Sequence, residues 1–290
     1  MKVVIEDEEQ KQKNLKIFYI AIVAICVIAV LVALGVQIVQ HYKANKTKDN
    51  IGGSNIDLSE LTGDKSTTKE KFNNMFKNQV NYLKNNAYKI SRIKEDEEIV
   101  YVSYKNNESK VNDYELNVNI PCINIKSKTA EEMNTQIKEI FETKAKNVLN
   151  SQKNNIIYTV SYSAYISNNI LSLVVRSTLK EGANPQRDIV QTYNYNLTDH
   201  SKCTIDYFLD QKGITKKEAN QKIKDEISNI QKRTEELANL GYTVYQRDYT
   251  SDFYNINNVT EYFMGENNQL YIIFAYGNDN HTSEMDIVIM

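Results

Sequence analysis

The sequence predicts an α+β domain, a largely antiparallel sheet with helices packed on one face, preceded by one transmembrane helix. Three observations lead there. An uninterrupted apolar run fills residues 17–39. Three Thr-x-x-Glu signals each open a stretch with the spacing of an amphipathic helix. The segments between and after them alternate apolar and polar residues and are punctuated by short turn sequences. Hairpin spacing implies mostly antiparallel pairing, and helices then pack on the apolar face of the resulting sheet.

The apolar run reads IFYIAIVAICVIAVLVALGVQIV and carries no charge. At about 1.5 Å rise per residue it spans roughly 35 Å, enough to cross the hydrocarbon core of a bilayer. A soluble core helix of that length would show a polar edge. A cleaved signal peptide would have a hydrophobic segment of about 7–15 residues, shorter than this one. Lysines flank both sides, at Lys11, Lys13 and Lys16 before the run and Lys43, Lys46 and Lys48 after it. The charge rule for orientation is therefore nearly balanced. A short charged tail is easily left in the cytoplasm while a long domain translocates. The expected layout is a cytoplasmic tail over 1–16, the membrane helix over 17–39, a polar stalk over 40–65 and an extracytoplasmic domain over 66–290. Gly52-Gly53 and the scarcity of large apolar residues mark the stalk.

The helix signals come next. Thr67-x-x-Glu70, Thr129-x-x-Glu132 and Thr215-x-x-Glu218 match the capping box, in which hydroxyl and carboxylate satisfy free backbone N–H groups reciprocally. The first opens a run with Phe72, Phe76, Val80 and Leu83 on one face. The second carries Met133, Ile137, Phe141 and Val148, with Ile140 and Leu149 beside them. The third carries Ala219, Ile223, Ile227, Ile230, Thr234 and Leu237, and Gly241 closes it.

Strands are expected at 98–104, 114–120, 158–166, 170–178, 189–197, 259–264, 270–276 and 284–289. Asn168-Asn169 joins two of them as a hairpin turn, and Gly265-Glu266-Asn267-Asn268 joins another pair.

Little in the sequence points to chemistry. The net charge of −2 gives no electrostatic footprint for nucleic acid. No GxSxG, HExxH, phosphate-binding or dinucleotide motif occurs, and no cofactor is implied. Cys122 and Cys203 could pair in an oxidising space. Their Ile neighbours favour two separate thiols packed as small hydrophobes, and without a CxxC or a Cys–His cluster no metal site is expected. Asp199, His200 and Ser201 adjoin in sequence, but a triad needs convergence in space, and a surface turn explains them better. Paired carboxylates such as Asp248 with Asp252 read as solvated loops. Tyrosine is the unusual resource, with 20 residues in a chain that has no Trp. Tyr joins an apolar body to a polar tip, which suits recognition surfaces as well as cores. The candidate binding residues are Tyr245, Tyr249, Phe253 and Tyr254, on the irregular segment after the third helix.

One resemblance extends this reading. A strand ending in Pro (114–121) is followed by an Asn-x-x-Ile helix (Asn134 to Ile137) and a Tyr-rich strand. Then come a hydrophobic strand with a central Ser172, a Gly182-Ala183 loop and a Thr-Tyr-Asn strand (192–194), and a late hairpin strand ends in Tyr276. The stretch 114–289 resembles the extracytoplasmic domain of the RsiV-like family, the lysozyme-sensing anti-sigma factors of Firmicutes, also found in peptidoglycan deacetylases of the PdaC type. The turn after 192–194 departs from the family's Thr-Gly-Lys, reading Asp199-His200-Ser201-Lys202. Residues 1–16 are too few to fold around a sigma factor, and nothing beyond the domain is long enough for a deacetylase unit. The resemblance therefore implies a membrane-anchored envelope recognition module, not an enzyme, binding a lysozyme-like protein or peptidoglycan. An envelope enzyme with an unrecognised site, or a scaffold subunit of a membrane complex, is the alternative.

Overall fold

A computed structural model describes residues 68–83, 91–151, 154–242, 244–278 and 281–290. The expected membrane helix, stalk and first capping threonine, Thr67, lie outside these residues. Among the described residues no helix is long and apolar enough to cross a membrane.

The described chain begins with α1 (Thr68–Asn74) and β1 (Gln79–Tyr82). β2 (Val100–Lys110) and β3 (Tyr114–Ile123) form a hairpin. Helices α2 (Lys128–Ile137) and α3 (Thr143–Leu149) run on through a π-helical turn at Lys138–Glu142. β4 (Ile156–Ser167), β5 (Ile170–Glu181) and β6 (Arg187–Asn196) follow. Then come α4 (Ile205–Lys212), the long α5 (Lys216–Asn239), and β7 (Glu261–Met264), β8 (Leu270–Asn278) and β9 (His281–Ile289).

These strands make two sheets. The first runs β2-β3-β4-β5-β6 with β1 also on β4, and the second runs β7-β8-β9. Pairing is mostly antiparallel, as the hairpins require. The exceptions are β3 with β4 and β1 with β4, both parallel. The α2–α3 crossover imposes the first, since parallel neighbours need a long connection.

Alternation along each strand sorts the side chains into layers. On β5, Leu171, Leu173 and Val175 face the α2–α3 layer with Met133, Ile137, Phe141 and Val148, whereas Val174 faces the second sheet. On β8, Tyr271 and Ile273 face the first sheet, whereas Leu270, Ile272 and Phe274 face Ile223 and Ile227 of α5. The order is helices, sheet, sheet, helices. This corrects the expectation of helices on one face of a single sheet: each sheet has its own helical layer. The continuous apolar runs ILSLVV on β5 and LYIIF on β8 are the signature of strands covered on both faces. Burying a residue such as Phe141 or Phe208 completely contributes about 1.5–3 kcal/mol each.

Local corrections have local causes. The first helix stops at Asn74, not at Leu83. Asn78 takes a left-handed φ of 55°, its N–H donates to the Tyr162 carbonyl, and its Oδ1 accepts from the Tyr162 N–H. Val80 thereby joins β4 as a strand residue. α2 is capped by Ser127, whose Oγ accepts from Ala130 N–H, so Thr129 lies inside the helix and its expected box does not form. The third box does form, Thr215 and Glu218 bonding each other's backbone N–H, and Gly241 with φ 89° ends α5. The short α4 was not expected, although Thr204 caps it and Gly213, at φ 64°, closes it. Among the described residues, seven of the eight non-glycine positions with positive φ are asparagines, including Asn168 and Asn169 in the β4–β5 turn. Both central positions of a type I′ hairpin turn need that conformation.

Candidate functional site

The segment that carries the aromatic candidates leaves α5 at Gly241 and reaches β7 through two 3-10 turns, Asp252–Tyr254 and Ile256–Asn258. Short side chains fix its backbone. Asp248 accepts from Thr250 N–H at 2.9 Å and Thr250 Oγ1 at 2.6 Å, which holds its carboxyl below the usual range. Ser251 Oγ accepts from Phe253 N–H, and Asn255 Oδ1 accepts from Asn257 N–H. Asn220 on α5 accepts from Ile256 N–H at 2.8 Å, tying the second turn to the helix.

The deepest anchor is a buried ion pair that the sequence reading did not single out. Arg247 Nε donates to both carboxylate oxygens of Asp286 on β9, each at 2.9 Å, with both side chains almost fully buried. Arg247 also donates from Nη1 to Thr234 Oγ1 and the Tyr245 carbonyl, and its N–H donates to Gln231 Oε1. Burial pushes the Asp286 carboxyl up, and the Arg247 guanidinium opposes that push. A buried pair of this kind needs further hydrogen bonds, and Thr234 Oγ1, the Tyr245 carbonyl and the Tyr254 hydroxyl supply them here. The available signal was Asp286 itself, a lone charge in the apolar strand MDIVI.

The four aromatic candidates divide. Tyr254 is buried: its hydroxyl donates to Asp286 Oδ2 at 2.9 Å and its ring meets Phe274 edge-on at 5.1 Å. It belongs to the anchor and not to a surface, which corrects its inclusion among binding residues. Burial pushes its phenol far up. Tyr245 is half-buried with the Arg247 guanidinium 5.6 Å from its ring. Tyr249 and Phe253 remain open, at 38% and 42% exposure, and the Lys224 ammonium sits 5.8 Å from the Tyr249 ring. Two rings therefore face solvent from a backbone held at several points.

The neighbours Asp199, His200 and Ser201 form a turn. Asp199 Oδ1 accepts from both the N–H and the hydroxyl of Ser201, while His200 Nδ1 bonds the Tyr195 hydroxyl. An Asp–His–Ser relay is not made. Cys122 and Cys203 are separate thiols, and burial pushes Cys203 up to about 12. Among the described residues no group of three His, Cys, Asp or Glu side chains could hold a metal ion.

The residues behind the family resemblance turn out to be joints. Asn134 Oδ1 accepts from Ile123 N–H at 2.7 Å and its Nδ2 donates to the Ile123 carbonyl, docking α2 on β3. Pro121 sits opposite Val102 at a bulge centred on Ser103, where the ladder can do without a donor. Ser172 donates to Asn194 Oδ1 and accepts from Met264 N–H, and Asn194 Nδ2 donates to the Tyr262 carbonyl. Thr192 bonds Glu261 through its N–H and hydroxyl. Ser172, Thr192 and Asn194 thus join the first sheet to β7 of the second.

Comparison with solved structures finds partial likenesses. A DUF3298 family protein of Pseudomonas aeruginosa PAO1 superposes with a TM-score of 0.39 and 7% identity, over 65% of this chain and 85% of that one. A DUF3298 member from Bacteroides fragilis gives 0.33 and 13%, over 60% and 80%. No family model matches the sequence, and no curated protein matches it.

Proposed function

We propose that this chain is a membrane-tethered recognition module of the bacterial cell envelope, RsiV-like in kind, which presents Tyr249 and Phe253, with Tyr245 beside them, to a protein or cell-wall ligand. The carrying observation is the pinned aromatic segment. Exposed rings on a backbone fixed by Arg247, Asp248, Asn220 and Asp286 have little ordering entropy left to lose on binding. Aromatic anchors of this kind dominate recognition surfaces. The uncharged run 17–39 supplies the tether, with the tail inside and the domain outside.

The test is retention of the full chain, in lipid nanodiscs, on purified cell-wall sacculi and on immobilised lysozyme at physiological salt. Saturable retention on one of them, weakened about tenfold or more by Tyr249→Ala or Phe253→Ala, is the expected result. Absence of retention on both overturns the reading.

A further inference from the structure

β2 is the outermost strand of the first sheet, with β3 on one side and, among the described residues, no strand on the other. It runs over Val100–Lys110, long for an edge strand, and open edges of that length are normally shielded. Its ladder with β3 is regular from Tyr104 to Lys110, between the bulge at Ser103 and the hairpin turn.

The turn fixes where the backbone groups point. Asp113 N–H donates to the Lys110 carbonyl at 2.9 Å, so Lys110 turns its backbone toward β3, and alternation gives Tyr104, Asn106 and Glu108 the same direction. Lys105, Asn107 and Ser109 therefore aim their N–H and C=O groups away from the sheet. Among the described residues nothing bonds those groups, and all three residues are exposed.

We propose that the free edge of β2 is a homodimer interface, at which a second copy of this chain adds its own β2 antiparallel across a two-fold axis at Asn107. Asn107 is the midpoint of the regular stretch 104–110, so this register pairs that stretch with itself end to end. Lys105 then exchanges both backbone bonds with Ser109 of the second copy, and Asn107 does so with its own counterpart. The axis stands perpendicular to the sheet, so side chains on the helix-covered face meet side chains on the same face of the second copy.

The side chains select this register. On the helix side Tyr104 stands opposite Lys110 of the second copy, a ring against an ammonium, and Asn106 stands opposite Glu108. Asn106 Oδ1 is a buried acceptor without a donor, and its diagonal neighbour across the interface is Lys110, which has only donors to offer. On the open side Lys105 meets Ser109. Edge lysines normally guard against pairing, but here each stands well apart from its counterpart. A register centred on Lys105 or on Glu108 sets that charge against itself, and one centred on Asn106 or Ser109 runs into the bulge or past the hairpin tip. Val111, 89% exposed at that tip, comes to lie beside Ser103 of the second copy.

The test uses the full chain in detergent. Sedimentation of wild type is expected to show a dimer at about 100 μM, and Asn107→Pro is expected to weaken it about tenfold or more. Proline there removes an N–H that the fold itself does not use, and circular dichroism checks that the domain stays folded. Asn107→Cys reads the register without proline. Hydrogen-bonded partners lie about 5.5 Å apart at Cα, within disulfide reach, so oxidation is expected to link two copies above the level set by the native cysteines. Asn117→Cys, equally exposed but one strand farther from the axis, is expected not to exceed that level. A monomeric wild type, a dimer that Asn107→Pro leaves intact, or equal linking of the two cysteine variants overturns the proposal.

Discussion

Arg247–Asp286 and Glu261–Thr192 are both polar joints of the second sheet, and they handle buried charge in opposite ways. At the first, a carboxylate meets a guanidinium that stays charged at any working pH, and Tyr254, Thr234 and Gln231 complete the bonding. At the second, a carboxyl meets neutral donors only. At Asp286 the guanidinium opposes the upward push of burial on the carboxyl, whereas at Glu261 only the hydrogen bonds from Thr192 oppose it. Removing one partner of the matched pair strands the other as a buried charge. Removing the charge from the unmatched joint strands nothing.

The largest effect should therefore come from Asp286→Ala, which leaves Arg247 buried and uncompensated. It is expected to cost about 3–5 kcal/mol, read from urea unfolding of the domain. Thermal melts of Glu261→Gln sharpen the contrast. At pH 8 the variant should melt at or above wild type, and at pH 5 the advantage should vanish, because wild type is then already neutral. If Glu261→Gln costs as much as Asp286→Ala, the distinction between the two joints collapses.

A purely steric joint lies beside the Glu261–Thr192 contact. A Cβ on Gly265 would sit 2.6 Å from the Tyr271 ring, which stacks on Phe263 at 4.8 Å between the sheets. Gly265→Ala should cost about 1–3 kcal/mol at every pH, measured in the same unfolding experiment, and a pH-dependent cost would mean that packing and titration are coupled there. The smallest effect on stability is expected from Tyr249→Ala, within about 0.5 kcal/mol, since the ring is open to solvent; its effect should instead show in ligand retention.

Much of this architecture is legible in the sequence, element by element. Each of the eight expected strands exists, most of them longer than the alternation alone suggests, and the α5 capping box and terminal glycine are where residue type puts them. The reading fails where tertiary contacts outweigh local pattern. Val80 and Leu83 keep helical spacing with Phe76, yet the free edge of β4 takes up 79–82 as a strand. α4 is too short for a periodic signal, although its Thr204 and Gly213 boundaries were visible. The second sheet as a separate layer was foreshadowed only by apolar runs without a polar face. Of the candidate site, the exposed rings were legible from residue type. Arg247 was not, because its partner Asp286 is brought to it by β9 from a distant part of the chain.

The asparagines at left-handed turns have a consequence for how this chain can vary. The chain has only nine glycines, and among the described residues most left-handed positions carry a residue with a side chain. Asn tolerates the conformation better than other residues with a Cβ, and it leaves the unfolded chain less freedom than glycine would. The two effects oppose each other, so exchanging Asn for Gly at Asn112 or Asn267 should be nearly neutral, while alanine should not be. Exchanges between asparagine and glycine can thus accumulate in the turns of this fold without disturbing it, and the tolerated alphabet at those corners narrows to two letters.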